Sequence, residues 1–476
     1  MLAALMAMLW LVPFNGIEID IDLPVDLKLD RIVLPAIVLL WLLALVTGGR
    51  GAPGRRLTPI HAAIAVFTAV AFLSVVLNGE SLSAGLGLDL AIKKLTLLIA
   101  YASVFVVVAS AVRREEIVPF LRLNLVLAVI CSIGVIWEYR FGYNVFYDVA
   151  RHVLPPIFDV LDAPSGFDEL GRRSVSGPTD HSLELVAILS MALPIALVGL
   201  MRARTLGSQL LHVLAAVIIG TAIISTYRKS ALLAPAAAVV TLVLLARGQV
   251  MRLAPLAVLA LVLLPVTSFS AFGSIVGQLD SNELAVPTVN DRVADYDAVR
   301  PDILANPVLG RGFGSYEHTH APDQARILDS DLLLRTVETG IVGMIAFLAM
   351  IVTVIAVGRA EVRSRSPGGA PMAIVAASGA TAFLVLTALF DEWSFPHAPY
   401  VVMVLAGLLA GATGAPAGAP EVSGAATVRR LMPVPPHREK RVPAHVSLQD
   451  VRHRGTGTAV GKRGRSGAAA SDVRPA

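Results

Sequence analysis

Long apolar stretches separated by short polar segments dominate the chain. Each stretch has about the length that an α-helix needs to cross the hydrocarbon core of a bilayer. About twelve can be distinguished, at residues 1–13, 32–47, 59–77, 94–112, 117–136, 182–201, 210–226, 230–246, 253–269, 332–357, 372–390 and 399–412. The first is short, but it has neither a positive n-region nor a small-residue cleavage site before Pro13, so we count it as a span. The pattern predicts an all-α polytopic membrane protein.

Composition supports this class. The chain is 55% hydrophobic and only 16% charged, and its mean hydropathy is +0.72. Soluble globular proteins have a larger fraction of charged residues and a smaller fraction of apolar residues. The composition therefore excludes an ordinary soluble domain.

The arginines in the short connections predict the orientation of the helices. Five alternate connections, which all lie on one side, contain arginines: Arg50, Arg55 and Arg56; Arg113 and Arg114; Arg202 and Arg204; Arg247 and Arg252; and Arg359, Arg363 and Arg365. Because cytoplasmic loops are enriched in Lys and Arg, this side and both termini are expected in the cytoplasm. The opposite side receives long loops at about residues 137–180 and 270–330, which are too long to be simple connectors. Function is therefore expected on the extracytoplasmic side.

The organisation predicted is a membrane domain at residues 1–412 and a tail at residues 413–476. The tail is basic, rich in Pro, Gly and Ala, and has no apolar periodicity, so we expect it to be disordered and cytoplasmic. A positive topogenic end explains its charge best, and attraction to anionic lipid or a partner is the alternative. Nothing else in the chain supports nucleic-acid binding.

Several kinds of chemistry lack their usual sequence signals. The single cysteine, Cys131, lies within the fifth span, and the histidines lack the spacing of metal ligands. There is no Walker sequence and no strand-turn-helix glycine fingerprint. We therefore predict neither a metal site nor a cofactor.

Two cations, Arg228 and Lys229, lie between the seventh and eighth spans, on the side where the charge rule disfavours them. They are candidates for holding an anionic substrate at the membrane surface, because Arg in particular makes bidentate contacts with phosphate. Contact with lipid headgroups is an equally good interpretation.

The second long loop offers further candidates. Residues 293–304 have apolar positions at helical spacing and predict a surface helix that ends at Asn306-Pro307. Arg292 directly before this stretch, Arg300 within it and Arg311 in the following glycine-rich turn are candidate phosphate contacts. His318 and His320 form a pair later in the loop, which is more typical of a solvated loop than of a metal site.

At the start of the tenth span, Asp331, Arg335 and Glu338 fall at positions i, i+4 and i+7 and share one helix face. They either form an internal ion cluster or line a polar cavity where a carboxylate serves as a base. We favour the internal cluster. Gly340 and Gly343 are interpreted as helix-packing positions.

Together these motifs resemble the O-antigen ligase and O-antigen polymerase superfamily of bacterial envelopes. The resemblance rests on Arg228, Arg292, the turn Asn306-Pro-Val-Leu-Gly-x-Gly-x-Gly314, and Glu338-x-Gly340-Ile-Val-Gly343, in that order. It extends to about twelve helices with a large late outward loop, and it covers most of residues 30–412. The tail lies outside it.

The resemblance implies a metal-independent glycosyltransferase whose donor is a glycan on a polyprenyl diphosphate and whose acceptor is a glycan or lipid hydroxyl. In that family outward arginines bind the diphosphate, and Arg228 and Arg292 occupy the matching positions. The ligase branch has a histidine eleven residues before the glycine matched by Gly340, where this chain has Asp329. Asp329 is therefore the candidate general base, with His318 or His320 as substitutes.

Two other classes share part of the pattern. A lipid-linked glycan flippase or transporter would also have twelve helices, but more often with internal repeats and mid-helix charges, which are not evident here. A polyprenyl-phosphate-sugar-dependent glycosyltransferase would use acidic residues in its first outer loop, and Glu18, Asp20 and Asp22 fit that role. Their alternation with apolar residues equally indicates an interfacial strand. The partners implied by the resemblance to the O-antigen ligase and polymerase superfamily are envelope polysaccharide assembly proteins.

Overall fold

The computed structural model describes residues 1–19, 28–47, 57–84, 87–164, 174–228, 230–250, 287–316, 328–364 and 370–414. Within them the chain is mainly α-helical. The helices are α1 (Leu2–Leu11), α2 (Leu29–Thr47), α3 (Pro59–Leu77), α4 (Gly79–Ala84), α5 (Gly87–Ala111), α6 (Ile117–Phe141), α7 (Val145–Val153), α8 (Ser182–Arg202), α9 (Leu206–Ile224), α10 (Ser230–Val250), α11 (Pro287–Ala305), α12 (Asp331–Ser364), α13 (Pro371–Thr387) and α14 (His397–Thr413). Strands β1 (Ile17–Glu18) and β2 (Asp159–Val160) pair antiparallel, with Ile17 opposite Val160.

The helices make this an all-α, multi-pass membrane protein. By length and composition, seven of the described helices could cross a membrane, namely α2, α3, α5, α6, α8, α9 and α12. Four shorter apolar helices are α1, residues 232–248 of α10, α13 and α14. All of these overlap predicted spans, whereas the predicted span 253–269 and the tail 415–476 lie outside the described residues. The count of about twelve therefore stays a prediction.

Helix α8 is the most enclosed of the seven long apolar helices. Within the protein, 78% of its membrane-length window is buried, against 17% for the peripheral helix α2. It packs against α9, α10, α13 and α14. The N-terminus of α8 is therefore surrounded by the connections of several other helices.

Small residues allow close helix packing next to this centre. Gly407 and Gly411 of α14 are four residues apart and share a face directed at α5. A Cβ atom on Gly407 would lie 3.0 Å from the carbonyl oxygen of Phe105. This is the small-residue packing that membrane helices use where lipid offers no hydrophobic driving force.

The connections that the charge pattern assigns to the outside meet at one end of the bundle. We call this the polar end and define it by residues 12–19, 28–31, 78–94, 142–182, 225–230, 306–331 and 388–397, as far as they are described. Lys28 donates to Asn15, and Asn15 donates to Asp180, so side chains join the connection between α1 and α2 to the one before α8. The candidate site lies at this end.

Candidate active site

Helix α12 is broken at Gly340, which has a φ of 65° and a ψ of −171°. Residues with side chains rarely adopt this conformation. The break separates a short segment, residues 331–339, from a long apolar segment, residues 341–364. It interrupts the helical hydrogen bonds, and irregular backbone within a membrane helix is tolerated only where other groups pair with it.

The segment 306–314, here called the glycine turn, provides those partners. Two of its N–H groups donate to carbonyl oxygens before the break, and two N–H groups after the break donate to carbonyl oxygens of the turn. The four bonds are Arg311 N to Val337 O at 3.1 Å, Gly312 N to Glu338 O at 2.9 Å, Ile341 N to Pro307 O at 2.9 Å, and Val342 N to Val308 O at 3.3 Å. The two motifs that carried the family resemblance therefore form one structural unit.

Helix α3 fastens this unit from the side. The buried hydroxyl of Ser74 lies 2.7 Å from the carbonyl oxygen of Leu309 and 2.9 Å from that of Glu338. Asn78 donates to the carbonyl oxygen of Gly310 at 3.2 Å. The glycine turn is thus held between two helices, and its backbone is fixed.

The guanidinium of Arg335 is the centre of a buried ion cluster in the short segment of α12. It lies 2.5 Å from Glu338 and 3.6 Å from Asp331. Asp391, in the connection between α13 and α14, lies 3.5 Å away. The guanidinium also stands over the ring of Phe313, 5.1 Å from its centroid. The structure therefore brings the three predicted residues together, with Arg335 as the cation between the two carboxylates.

The connection between α13 and α14 completes this cluster, which sequence reasoning had not foreseen. Trp393 N donates to the Asp331 carboxylate at 3.1 Å, and Asp331 N donates to the carbonyl oxygen of Phe390 at 3.4 Å. Lys94 at the start of α5 donates to Ser394 at 3.2 Å. Two acidic residues and a tryptophan in an otherwise apolar stretch were the available sequence signal.

A second polar group surrounds the N-terminus of α8 and contains Arg228. Tyr227 has a φ of 56°, which is unusual for a residue with a bulky side chain. Strained backbone of this kind is concentrated at functional sites. The turn directs the next residue back towards α8, and Arg228 Nε donates to the Ser182 hydroxyl at 2.7 Å. Arg228 is therefore held at the polar end by the first residue of α8.

His181 lies beside Arg228 and caps α8. Its Nδ1 accepts a hydrogen bond from Leu183 N at 3.2 Å. The ring stacks on Phe390, with centroids 4.8 Å apart and planes inclined by 17°. Burial, assisted by the positive charge of Arg228, lowers the pKa of His181 to about 4. The imidazole is therefore neutral at physiological pH.

Asp180 precedes this histidine and has an opposite pKa shift. Asn15 and the Tyr147 hydroxyl donate to its carboxylate, the latter at 3.3 Å. Burial first, and the nearby charge of Glu184 second, raise the pKa of Asp180 to about 6. Glu184 in turn accepts from Asp180 N at 3.1 Å. Two adjacent residues thus titrate in the same range with opposite shifts.

Glu392 is a buried carboxyl that no predicted motif contains. It is 0% exposed, and among the described residues neither of its oxygens has a hydrogen-bond partner. Burial raises its pKa well above the usual range, and the charges of Glu184, Asp331 and Asp391 raise it further. Burial therefore disfavours the ionised form of Glu392.

Phe390 connects the two polar groups. Its ring stacks on His181, while its carbonyl oxygen accepts from Asp331 N. The neighbourhood of Arg228 and the start of α12 are therefore joined through Phe390.

Residues 214–348 match the sequence profile of a family described as O-antigen ligase. This stretch contains Arg228, the glycine turn, the broken part of α12 and the Arg335 cluster. Over this stretch the chain is similar to the O-antigen ligase family. The superfamily resemblance inferred from the sequence is thereby confirmed, and no curated protein matches the chain in sequence.

The other predicted site residues differ in their exposure and in their contacts. Asp329 is exposed, two residues before the buried Asp331. Arg300 is exposed on α11. Arg311 forms an ion pair with Asp302 at 2.6 Å. The structure thus leaves Asp329 more accessible than the carboxylates of the Arg335 cluster.

Some predicted residues are described partly or not at all. Arg292 belongs to α11, and its side chain lies outside the described part of the chain. Lys229, His318 and His320 lie outside it altogether. The predicted surface helix is present as α11, with Val299 buried.

The connection between α1 and α2 contains the acidic residues of the alternative glycosyltransferase class. Glu18 lies in β1, and its backbone pairs with Asp159 of β2. Asp20 and Asp22 lie outside the described residues. Within the described residues, no group of three or more His, Cys, Asp or Glu has the geometry to hold a metal ion.

Proposed function

We propose that this protein is a glycan polymerase or ligase of the outer face of the cytoplasmic membrane. It transfers an oligosaccharide from a polyprenyl-diphosphate carrier to an acceptor hydroxyl. The observation that carries the proposal is the position of Arg228. This arginine lies inside the segment that matches the O-antigen ligase family, and it is anchored by Ser182 at the polar end.

The orientation follows from the positive-inside rule. The described connections that contain Arg113 and Arg114, and Arg202 and Arg204, join helix ends opposite the polar end. If those connections are cytoplasmic, the polar end is extracytoplasmic, and both termini with the basic tail are inside. A lipid-linked donor could then enter laterally from the outer leaflet while the acceptor arrives from the aqueous side.

Arg228 neutralises the diphosphate in this mechanism. The anomeric carbon of the donor sugar is attacked by the acceptor oxygen, and its bond to the diphosphate oxygen breaks. Negative charge then accumulates on the leaving diphosphate, and a guanidinium stabilises it through charge-assisted hydrogen bonds. Arg292 is a second cation for this role by resemblance. Guanidinium groups acting together would supply the neutralisation that other transferases obtain from a metal ion.

Asp329 is the proposed base. It occupies the position at which the ligase branch has histidine, and its exposure allows an acceptor hydroxyl to approach. A carboxylate takes up the proton as the oxygen bonds to the sugar. Asp331, which is 0% exposed and lies in the Arg335 cluster, is not accessible to an acceptor.

The test is glycan transfer in membranes that contain the wild type, Arg228→Ala or Arg228→Lys. We expect the alanine variant to abolish transfer without a loss of protein, and lysine to restore it only partly because it lacks the planar fork of donors. Lipid-linked donor should accumulate on the outer leaflet, and EDTA should leave wild-type transfer unchanged. Wild-type transfer by Arg228→Ala would remove this residue from the site, and accumulation on the inner leaflet would instead indicate a flippase.

A further inference from the structure

The two edges of the His181 ring have different surroundings. Nδ1 accepts a hydrogen bond from Leu183 N, so in the neutral ring Nδ1 is unprotonated and the proton is on Nε2. Nε2 makes no hydrogen bond with the described residues, and the residue is only half-buried. The helix cap therefore determines the tautomer and leaves an N–H donor available.

Aromatic side chains hold the ring in position. Phe390 stacks on one face, and Phe395 lies 5.5 Å away, centroid to centroid, at an inclination of 40°. The two phenylalanines also stack on each other at 4.9 Å. The direction of the Nε2–H group is thus restricted both by the cap and by stacking.

The neighbouring charge selects the kind of ligand. Arg228 is bonded to Ser182, the residue that follows His181 in the chain. A neutral N–H donor next to a guanidinium favours an anionic oxygen. A role as general base is disfavoured, because Nε2 already carries a proton and protonating Nδ1 instead would break the cap.

We propose that His181 is a donor-binding residue that gives its Nε2–H hydrogen bond to a phosphate oxygen of the polyprenyl diphosphate held by Arg228. The role rests on the function proposed above and extends it. A pKa of about 4 keeps the ring neutral throughout the physiological range, so the hydrogen bond does not depend on protonation of the ring. Neutral histidines with depressed pKa values at helix N-termini serve as hydrogen-bond donors in other enzymes.

The test uses farnesyl diphosphate, a soluble polyprenyl diphosphate, and measures its binding to the full chain in lipid nanodiscs. His181→Ser retains a helix-capping oxygen but removes the ring and its donor, whereas His181→Asn retains both a capping oxygen and an N–H donor. We expect the serine variant to weaken binding by about tenfold or more. The asparagine variant should weaken it less, and Arg228→Ala should weaken it most.

The matched control is Thr205→Ala, which removes the side-chain cap of α9 at the opposite end of the bundle. It perturbs a cap of the same kind and should not alter the affinity. Wild-type affinity in His181→Ser, with weak binding in Arg228→Ala, would overturn the role of His181 and leave the proposed donor intact. Absence of binding by the wild-type protein would instead overturn the proposed donor class.

Discussion

Gly310 and Gly340 each press against the backbone next to the other. Both have a φ of +65°. A Cβ atom on Gly310 would lie 2.3 Å from the carbonyl carbon of Glu338, and one on Gly340 would lie 2.2 Å from the carbonyl carbon of Val308. The glycine turn and the break in α12 therefore require each other, and neither position has room for a methyl group.

The first prediction follows from this contact. Gly310→Ala and Gly340→Ala should each destabilise the protein by about 3 kcal/mol or more, because unfavourable backbone strain adds to a clash with main-chain atoms. Gly248→Ala is the control, since nothing lies within 4 Å of a Cβ atom at that position. Protein abundance and thermal unfolding in detergent measure the effect. Equal stability of all three variants would show that the turn and the break can separate without cost.

The second prediction separates the buried arginine from the exposed site. Arg335→Ala leaves Asp331 and Glu338 buried without their cation, and loss of one partner of a buried pair typically costs about 3–5 kcal/mol. We expect Arg335→Ala to be poorly accumulated, Arg335→Lys to be intermediate, and Arg228→Ala to accumulate normally. Immunoblotting of membranes, together with the transfer assay, provides both readouts. An abundant, stable Arg335→Ala protein that lacks only activity would make Arg335 a substrate contact.

The third prediction concerns the base. Asp329→Asn preserves size and polarity but removes basicity, so transfer should fall by about a hundredfold or more while lipid-linked donor accumulates. Asp297→Asn, an exposed acidic residue on α11, is the matched control and should be unaffected. His318→Ala and His320→Ala are measured in the same membranes. If a histidine variant is inactive and Asp329→Asn is active, a histidine mechanism replaces the carboxylate mechanism.

The chain pattern predicted much of the fold but little of the packing at the site. The apolar stretch 59–77 corresponds to α3 as the structure has it, because in a membrane only a helix pairs all backbone groups within a single segment. The sequence predicts a packing position at Gly340 but not the break in the helix. Its cause is the distant glycine turn, which local periodicity cannot indicate.

The polar contacts at the site could likewise be predicted only where local helical spacing indicates them. The shared face of Asp331 and Arg335 follows from helical spacing, so the sequence alone predicted their proximity. Asp391 approaches that face from the connection between α13 and α14. His181 lies near Arg228 only because the start of α8 and the connection after α9 lie side by side. Tertiary folding of this kind leaves no regular spacing in a single sequence.

The fourth prediction tests the orientation. Cys131 is buried and should not react with a thiol reagent, so the wild type provides an unlabelled background. Val153→Cys places a thiol on the exposed face of α7 at the polar end, and Ser364→Cys places one at the end of α12. In intact cells an impermeant maleimide should label only Val153→Cys. The reverse labelling pattern would contradict an extracytoplasmic site.

The fifth prediction uses the opposite pKa shifts of Asp180 and His181. The folded-state pKa of Asp180, about 6, exceeds its unfolded value, so its contribution to stability is present at low pH and is lost as the pH rises through about 6. The folded-state pKa of His181, about 4, is below its unfolded value, so its contribution is present above about pH 6.5 and is lost as the pH falls through about 4. Each shift corresponds to about 3 kcal/mol, and the two oppose each other across the same interval.

These two contributions should largely cancel in the wild-type protein between about pH 4 and 6.5. Asp180→Asn removes the contribution that is lost as the pH rises, so the unfolding temperature of this variant relative to wild type should rise with increasing pH. His181→Asn removes the contribution that is lost as the pH falls, so the unfolding temperature of this variant relative to wild type should fall with increasing pH. The Asn side chain still caps α8. Thermal unfolding in buffered detergent over this range measures both difference curves. Difference curves that are flat, or that have the same sign, would show that the two side chains are not shifted in opposite directions.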